Sequence, residues 1–249
     1  MNGTATAAML DAAGSNSEAW AALVRRRVFF GHQSVGENLL AGVAELATAG
    51  SGAPLRIVEA APPAEARPAL YHARIGRNGD PSSKLADFVR RVRAARPDLA
   101  AMKFCYVDVS AHTDAEALFA SYRRAMSELA EALPSLTIVH VTMPLTGDRG
   151  TLFHVRTVLR GKGARSDRRM NAIRQRYNEL LRAEYAAREP LFDLAAIEST
   201  GADTRPRAVR YRGAAVPVLA HEWTYDGGHL NEAGRRRAAA AFLDVLASA

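Results

Sequence analysis

Three side chains in this sequence have the types needed for nucleophilic catalysis: Ser34, Asp226 and His229. A serine hydroxyl is a weak nucleophile at neutral pH and needs a base within hydrogen-bond distance, itself oriented by a third group. Asp226 and His229 lie three residues apart in a glycine-containing turn, so one loop could supply both the imidazole and the carboxylate that fixes its tautomer. We therefore predict that His229 takes the proton of the Ser34 hydroxyl.

The surroundings of Ser34 favour the same chemistry. The serine follows the apolar run Val28–His32 at the turn into a helix, where free backbone N–H groups and the positive end of the helix dipole favour a developing oxyanion. The alternative is that Ser34 only caps this helix, that His229 is a partly exposed loop histidine and that Asp226 forms a turn. The place of Asp226 and His229 just before the last helix favours the catalytic interpretation.

The elements that must position these residues follow an alternating pattern. Short apolar runs alternate with long helical stretches, which is typical of βαβ units and a parallel sheet. We predict an α/β protein, a doubly wound three-layer α/β/α sandwich with about five strands. The predicted strands are Val28–His32, Leu55–Ala60, Ala100–Val109, Thr137–Thr142 and Leu191–Leu194, and the predicted helices are Val35–Ala49, Ser82–Arg96, Asp114–Leu133, Ser166–Arg188 and Asn231–Ala247.

No repeat or linker divides the chain, so we predict one domain over residues 1–249, with residues 1–18 poorly ordered. The proline and glycine residues within 200–225 predict an irregular segment with a small hairpin near the site. In an open parallel sheet the ligand crevice lies outside the carboxyl ends of the strands. Ser34, the segment R-I-G-R-N-G-D and the segment Y-D-G-G-H-L-N all fall in such places.

The motifs, taken in order, resemble those of the SGNH or GDSL hydrolases, which are serine esterases and acyl-transfer enzymes on a flavodoxin-like sheet. His32-Gln33-Ser34-Val35 is similar to the first block, Gly-Asp-Ser-Leu, and places the nucleophile at Ser34. Gly79-Asp80 is similar to the second block, which implies that the Gly79 N–H donates to the oxyanion together with that of Ser34. Asp226-Gly227-Gly228-His229 matches the last block, Asp-x-x-His, and is the most specific of these matches.

One departure concerns the third block, Gly-x-Asn-Asp, whose ungapped match is Cys105-Tyr106-Val107-Asp108. The asparagine that would donate to the oxyanion falls on Val107, and loss of one such donor costs roughly 10²–10³ in rate. The amides of Asn78 and Gln33 are the predicted substitutes. Asp108 is either a structural partner for nearby backbone N–H groups, which is the favoured interpretation, or a residue that supports the site through another side chain. An α/β-hydrolase elbow, G-x-S-x-G, fits less well because position 32 is histidine.

The resemblance implies hydrolysis of a carboxylic ester, with a short acyl or acetyl group on a carbohydrate or small molecule, or transfer of that group to an acceptor. Neither a cofactor nor a metal is expected, since no ligand spacing is present. The alternative is a weak or inactive relative that binds a glycan or an anionic ligand. Oligomeric state is not predicted.

The composition adds limits. The chain has 249 residues, with 48% hydrophobic and 24% charged, which excludes disorder over most of its length. Its net charge is +7, and Arg156–Arg169 is predicted to be a solvated loop or a rim that attracts anions. Nucleic-acid binding is the rival interpretation of that stretch, but no recognition motif accompanies it. One cysteine, no signal-like start and no long apolar run predict a cytoplasmic protein without a membrane span.

Overall fold

The computed structural model of the protein describes residues 17–49, 54–63, 65–150 and 167–249. Its strands are β1 (Arg27–His32), β2 (Ile57–Glu59), β3 (Ala69–Arg74), β4 (Leu99–Met102), β5 (Thr137–Val141), β6 (Leu191–Phe192), β7 (Ala208–Tyr211) and β8 (Ala214–Pro217). Its α-helices are α1 (Ser17–Leu23), α2 (Ser34–Ala49), α3 (Pro81–Ala95), α4 (Ala115–Ala132), α5 (Asp167–Tyr185), α6 (Leu194–Ser199) and α7 (Glu232–Ser248). Short 3₁₀ turns cover Tyr106–Asp108 and His221–Trp223.

The central sheet has six strands in the order β2-β3-β1-β4-β5-β6, and all of its pairings are parallel. Without the edge strand β2, this is the 2-1-3-4-5 order of flavodoxin-like sheets. The predicted parallel α/β fold is therefore confirmed, with six strands in place of about five.

Alternate residues of each strand enter two separate cores, one on each face of the sheet. On β1, Val28 and Phe30 pack in the core formed with α2 and α7, whereas Phe29 packs in the core formed with α3, α4 and α5. Strand side chains alternate between the faces, so a strand that is buried on both sides reads as a continuous apolar run. This burial on both faces is the physical basis of the three layers.

Two predicted strands need correction. The strand missed by the sequence analysis is β3, whose residues Ala69–Arg74 include a histidine and an arginine at its carboxyl end and so give a weak apolar pattern. The segment with Asn78 and Gly79 follows β3 and not the earlier strand. The predicted strand Ala100–Val109 is too long, because β4 ends at Met102 and the chain then turns into the 3₁₀ turn.

The segment after β6 contains the predicted hairpin, formed by the antiparallel pair β7 and β8. The prediction of poor order for residues 1–18 falls largely outside the described residues, and α1 begins at Ser17.

Most of the basic stretch Arg156–Arg169 also lies outside the described residues. Its last two arginines are engaged, since Arg168 pairs with Asp148 and Arg169 donates to the Ala111 carbonyl. In the described ranges, no helix has the length and hydropathy of a membrane span.

Candidate active site

The candidate site lies where the connections from two neighbouring strands leave the sheet on opposite faces. The chain leaves β1 into α2, which packs on one face, and leaves β4 towards α4, which packs on the other. Such a switch in direction opens a crevice at the carboxyl ends of the strands. Ser34 follows β1 and the turn Tyr106–Asp108 follows β4, so both stand at this crevice.

The structure brings Ser34, His229 and Asp226 together. His229 Nε2 lies 3.2 Å from Ser34 Oγ, and His229 Nδ1 lies 2.6 Å from Asp226 Oδ2. Both distances allow hydrogen bonds of the kind that join a nucleophile, its base and the group that orients the base. A carboxylate can only accept, so His229 Nδ1 carries a proton and Nε2 is left to accept the proton of Ser34.

Ser34 is the first residue of α2. The residue before it, Gln33, accepts from the backbone N–H groups of Gly36 and Glu37 through its carbonyl. The Ser34 hydroxyl pairs with His229, so its contact is the one expected of a nucleophile and not the one expected of a helix cap. Within the described residues, no acceptor is bonded to the Ser34 N–H.

Asp226 is held as an ionised carboxylate. Partial burial of the carboxyl acts to raise its pKa, but hydrogen bonds from the His229 side chain and from the backbone N–H groups of His229 and Gly228 outweigh burial and lower the pKa to about 2. The two backbone bonds reach Oδ1 at 2.7 and 2.8 Å. Asp226 therefore stays charged throughout the pH range in which a histidine acts as a base.

A small closed loop fixes Asp226 and His229 in place. Thr224 Oγ1 donates to the His229 carbonyl at 2.6 Å and accepts from the Gly227 N–H at 2.9 Å. After the loop, Asn231 caps α7 by accepting from the Gly234 N–H. No role was predicted for Thr224 from the sequence, although a hydroxyl residue before a turn commonly stabilises that turn.

Aromatic rings surround the imidazole of His229. Tyr106 meets it edge to face with ring centroids 5.8 Å apart, and Tyr225 stacks nearly parallel to it at 6.2 Å. Val107 and Tyr225 are the large hydrophobic residues that stay exposed in the described part of the chain, at 43% and 69%. The mouth of the site thus has apolar surface that a substrate could cover.

Comparison with known proteins identifies the fold. No protein-family model matches the sequence, and a search of curated proteins found no match. Solved structures do match. A GDSL-like lipase from Bacteroides thetaiotaomicron has a TM-score of 0.56 and 13% identity, over 94% of this chain and 96% of that chain. A lipase/acylhydrolase from Enterococcus faecalis has a TM-score of 0.50 and 17% identity, over 89% and 94%. The chain has the fold of the SGNH/GDSL hydrolases.

Two of the predicted oxyanion donors of this SGNH fold are already engaged. The Gly79 N–H donates to Asp108 Oδ1 at 2.9 Å, so it is not the free donor that was expected. The Gln33 amide nitrogen donates to the carbonyls of Ile75 and Gly76 at 2.8 and 3.2 Å. Gln33 therefore holds the start of the loop after β3, and its amide nitrogen is engaged by these carbonyls rather than free to donate to an oxyanion.

Within the described part of the chain, it is the oxygen of the Asn78 amide, and not the nitrogen, that is engaged. Its side-chain oxygen accepts from Lys84 Nζ at 2.9 Å, and its side chain lies in an exposed turn between β3 and α3. Among the described residues, no acceptor is bonded to its amide nitrogen Nδ2. Asn78 is thus the predicted substitute whose donor is available in the SGNH fold.

His32, two residues before Ser34, is buried and neutral. Burial lowers the pKa of His32 to about 4, against a smaller raising effect of its hydrogen bond with the Gln33 carbonyl. That bond, at 3.1 Å, places the proton on Nδ1, so Nε2 accepts from His72 Nδ1 at 3.1 Å. His32 therefore stabilises the turn before Ser34 through its hydrogen bond with the Gln33 carbonyl.

Proposed function

We propose that the protein is a serine hydrolase that cleaves a carboxylic ester through Ser34, His229 and Asp226. The observation that carries the proposal is the continuous chain of contacts from Ser34 Oγ through the imidazole to Asp226, between residues 195 positions apart in the sequence. The fold of the esterase-like structures supports the same reaction type. We also propose that residues 1–249 act as one domain, because the site needs both ends of the sequence.

The reaction proceeds through an acyl-enzyme. Ser34 Oγ attacks the acyl carbon while His229 Nε2 accepts its proton, and Asp226 stabilises the imidazolium that forms. The tetrahedral oxyanion is held by the free Ser34 N–H at the start of α2 and by the Asn78 amide. His229 then gives the proton to the departing alkoxide oxygen, and the C–O bond breaks. Water, activated by the same imidazole, releases the acid and restores Ser34.

The substrate we propose carries a short acyl group, such as acetyl, on a small molecule or a carbohydrate. The GDSL-like lipase and the lipase/acylhydrolase with this fold are consistent with ester substrates. The exposed ring of Tyr225 beside His229 suits contact with the apolar face of an alcohol group. Transfer of the acyl group to a hydroxyl acceptor passes through the same intermediate and differs only in what enters second.

Hydrolysis of 4-nitrophenyl acetate tests the proposal. The wild-type protein should release 4-nitrophenol, with an initial burst if the acyl-enzyme accumulates. Ser34→Ala should reduce kcat by about 10³-fold or more, since removing a triad member leaves only residual catalysis. Equal rates for the two proteins would overturn it. In that case the alternative, a binding protein without catalysis, predicts retention on an immobilised glycan by both proteins.

A further inference from the structure

The loop with Asn78 is tied to a buried ion pair that has no part in the proposed proton transfer among Ser34, His229 and Asp226. Lys84 Nζ donates to Asp108 Oδ2 at 2.6 Å, and both side chains are 0% exposed. The same ammonium donates to Asn78 Oδ1. The carboxylate of Asp108 also accepts from the Gly79 and Cys105 N–H groups at 2.9 and 2.7 Å. One network thus joins the loops after β3 and β4 to the first turn of α3.

The electrostatic environment of Lys84 disfavours a buried cation, so a gain in stability does not explain why a lysine is at this position. It lies in the first turn of α3, at the positive end of the helix dipole, where cations are disfavoured. Burying a charged pair also costs desolvation that the attraction between the charges often does no more than offset. Stability therefore gives a poor reason for a buried lysine here, and the contact with Asn78 gives a better one.

The ammonium fixes which way the Asn78 amide points. Only the amide oxygen can accept from Lys84, so the Nδ2 end must face away from the buried pair. Donation by a cation to the amide oxygen also polarises the amide and strengthens the bonds that its N–H groups donate. Asp108 completes the arrangement because it holds Lys84 on one side and the Gly79 backbone on the other.

We propose that Lys84 and Asp108 are positioning residues that orient and polarise the Asn78 amide as an oxyanion donor, in place of the asparagine that the SGNH motif would put at position 107. This inference rests on the proposed ester hydrolysis. It explains how a side chain from the loop after β3 can supply the donor that Val107, after β4, lacks. Lys84 itself does not touch the substrate in this scheme.

A double-mutant cycle tests the proposal, with kcat and KM for 4-nitrophenyl acetate and with Tm as readouts. Asn78→Ala should lower kcat by about 10²-fold with little change in KM, as for loss of one oxyanion donor. Lys84→Met should lower kcat by about 10-fold in the wild-type background and by less than about 2-fold in the Asn78→Ala background, because coupled residues are not additive. Asn78→Asp, which keeps the acceptor but has no N–H, should be as slow as Asn78→Ala.

The matched control is Lys103→Met, since Lys103 is also fully buried but donates to the Phe104 carbonyl and not to Asn78. Its effect on kcat should be the same in both backgrounds. Should Lys84→Met fail to fold, the Lys84→Met/Asp108→Asn protein, which leaves no unpaired buried charge, replaces it in the cycle. A loss of kcat from Lys84→Met that is equal with and without Asn78 would overturn the proposal.

The outcomes separate this inference from the proposed function. If Ser34→Ala abolishes activity but Asn78→Ala keeps the wild-type kcat, the hydrolase stands and the role of Asn78, Lys84 and Asp108 falls. If the wild-type rate does not depend on Ser34, both fall together.

Discussion

The Ser34 hydroxyl and the His229 imidazole meet because the two helices next to them pack closely. Ser34 begins α2, and His229 lies just before α7. At Gly42 the helices approach so closely that a Cβ would lie 2.5 Å from the Arg235 carbonyl oxygen and 2.9 Å from Ala239 Cβ. The close contact between α2 and α7 therefore holds the segments that carry Ser34 and His229 next to each other.

Gly42→Ala should separate these helices and weaken catalysis more than its distance from the site would suggest. A misplacement of about 1 Å can cost about 10²-fold in rate, so we expect kcat to fall 10- to 100-fold, with a loss of about 1–3 kcal/mol in the free energy of unfolding from overpacking. Steady-state kinetics and urea unfolding measure the two effects. Ala41→Ser, on the exposed side of the same helix, should change neither, and a wild-type kcat for Gly42→Ala would contradict this account.

Replacement of the orienting carboxylate should slow the reaction without changing the fold. Asp226→Asn keeps the shape of the side chain but can no longer fix the proton on His229 Nδ1, and the corresponding change in a serine protease lowers kcat by about 10⁴-fold. We expect a loss of about 10²–10⁴ in kcat at pH 7, because this carboxylate is partly exposed. Asp114→Asn, at the N-cap of α4, is the control and should keep full activity. A variant Asp226→Asn with unchanged kcat would remove Asp226 from the triad.

The buried His32 should make folding stability depend on pH. Its pKa is lowered from 6.5 to about 4 in the folded protein, chiefly by burial and also by His72 and Lys103. The unfolded chain therefore binds more protons at this residue between these pH values. The contribution of His32 to stability falls as the pH drops from about 6.5 to about 4 and changes no further below that. A shift of this size corresponds to about 3 kcal/mol.

His32→Phe isolates this effect because the phenyl ring keeps the stacking on Phe30 but cannot bind a proton. Urea unfolding at pH 7 and pH 4 should show a decline in the free energy of unfolding that is about 3 kcal/mol smaller than in the wild-type protein. His112→Phe, at an exposed position, should show the wild-type decline. If His32→Phe shows the same decline in the free energy of unfolding as the wild-type protein, a group other than His32 causes the pH dependence.

The sequence predicted those features that are encoded locally. Parallel strands buried on both faces read as apolar runs, so β1, β4 and β5 were found, and the Asp226–His229 loop is a short motif whose spacing fixes its own hydrogen bond. The strand β3 was missed because His72 and Arg74 break its apolar pattern. The tertiary packing against β1 decides its conformation.

The sequence could not show which of the predicted oxyanion donors are free, because their availability depends on contacts between distant segments. Gly79 is engaged by a carboxylate 29 residues away and Gln33 by a carbonyl 42 residues away. One signal was present nonetheless. The sequence has only three lysines among its 33 basic residues, and Lys84, which contacts Asn78, is fully buried.

The measurement that tests the central claim most directly is covalent labelling by a fluorophosphonate probe, followed by peptide mass spectrometry. A fluorophosphonate reacts with a serine only when the hydroxyl is activated by a base, as His229 would activate Ser34. We predict one modified residue, Ser34, in the wild-type protein, and no labelling of Ser34 in the His229→Ala variant. A wild-type protein that stays unlabelled at Ser34, while a control serine esterase is modified under the same conditions, would contradict the account.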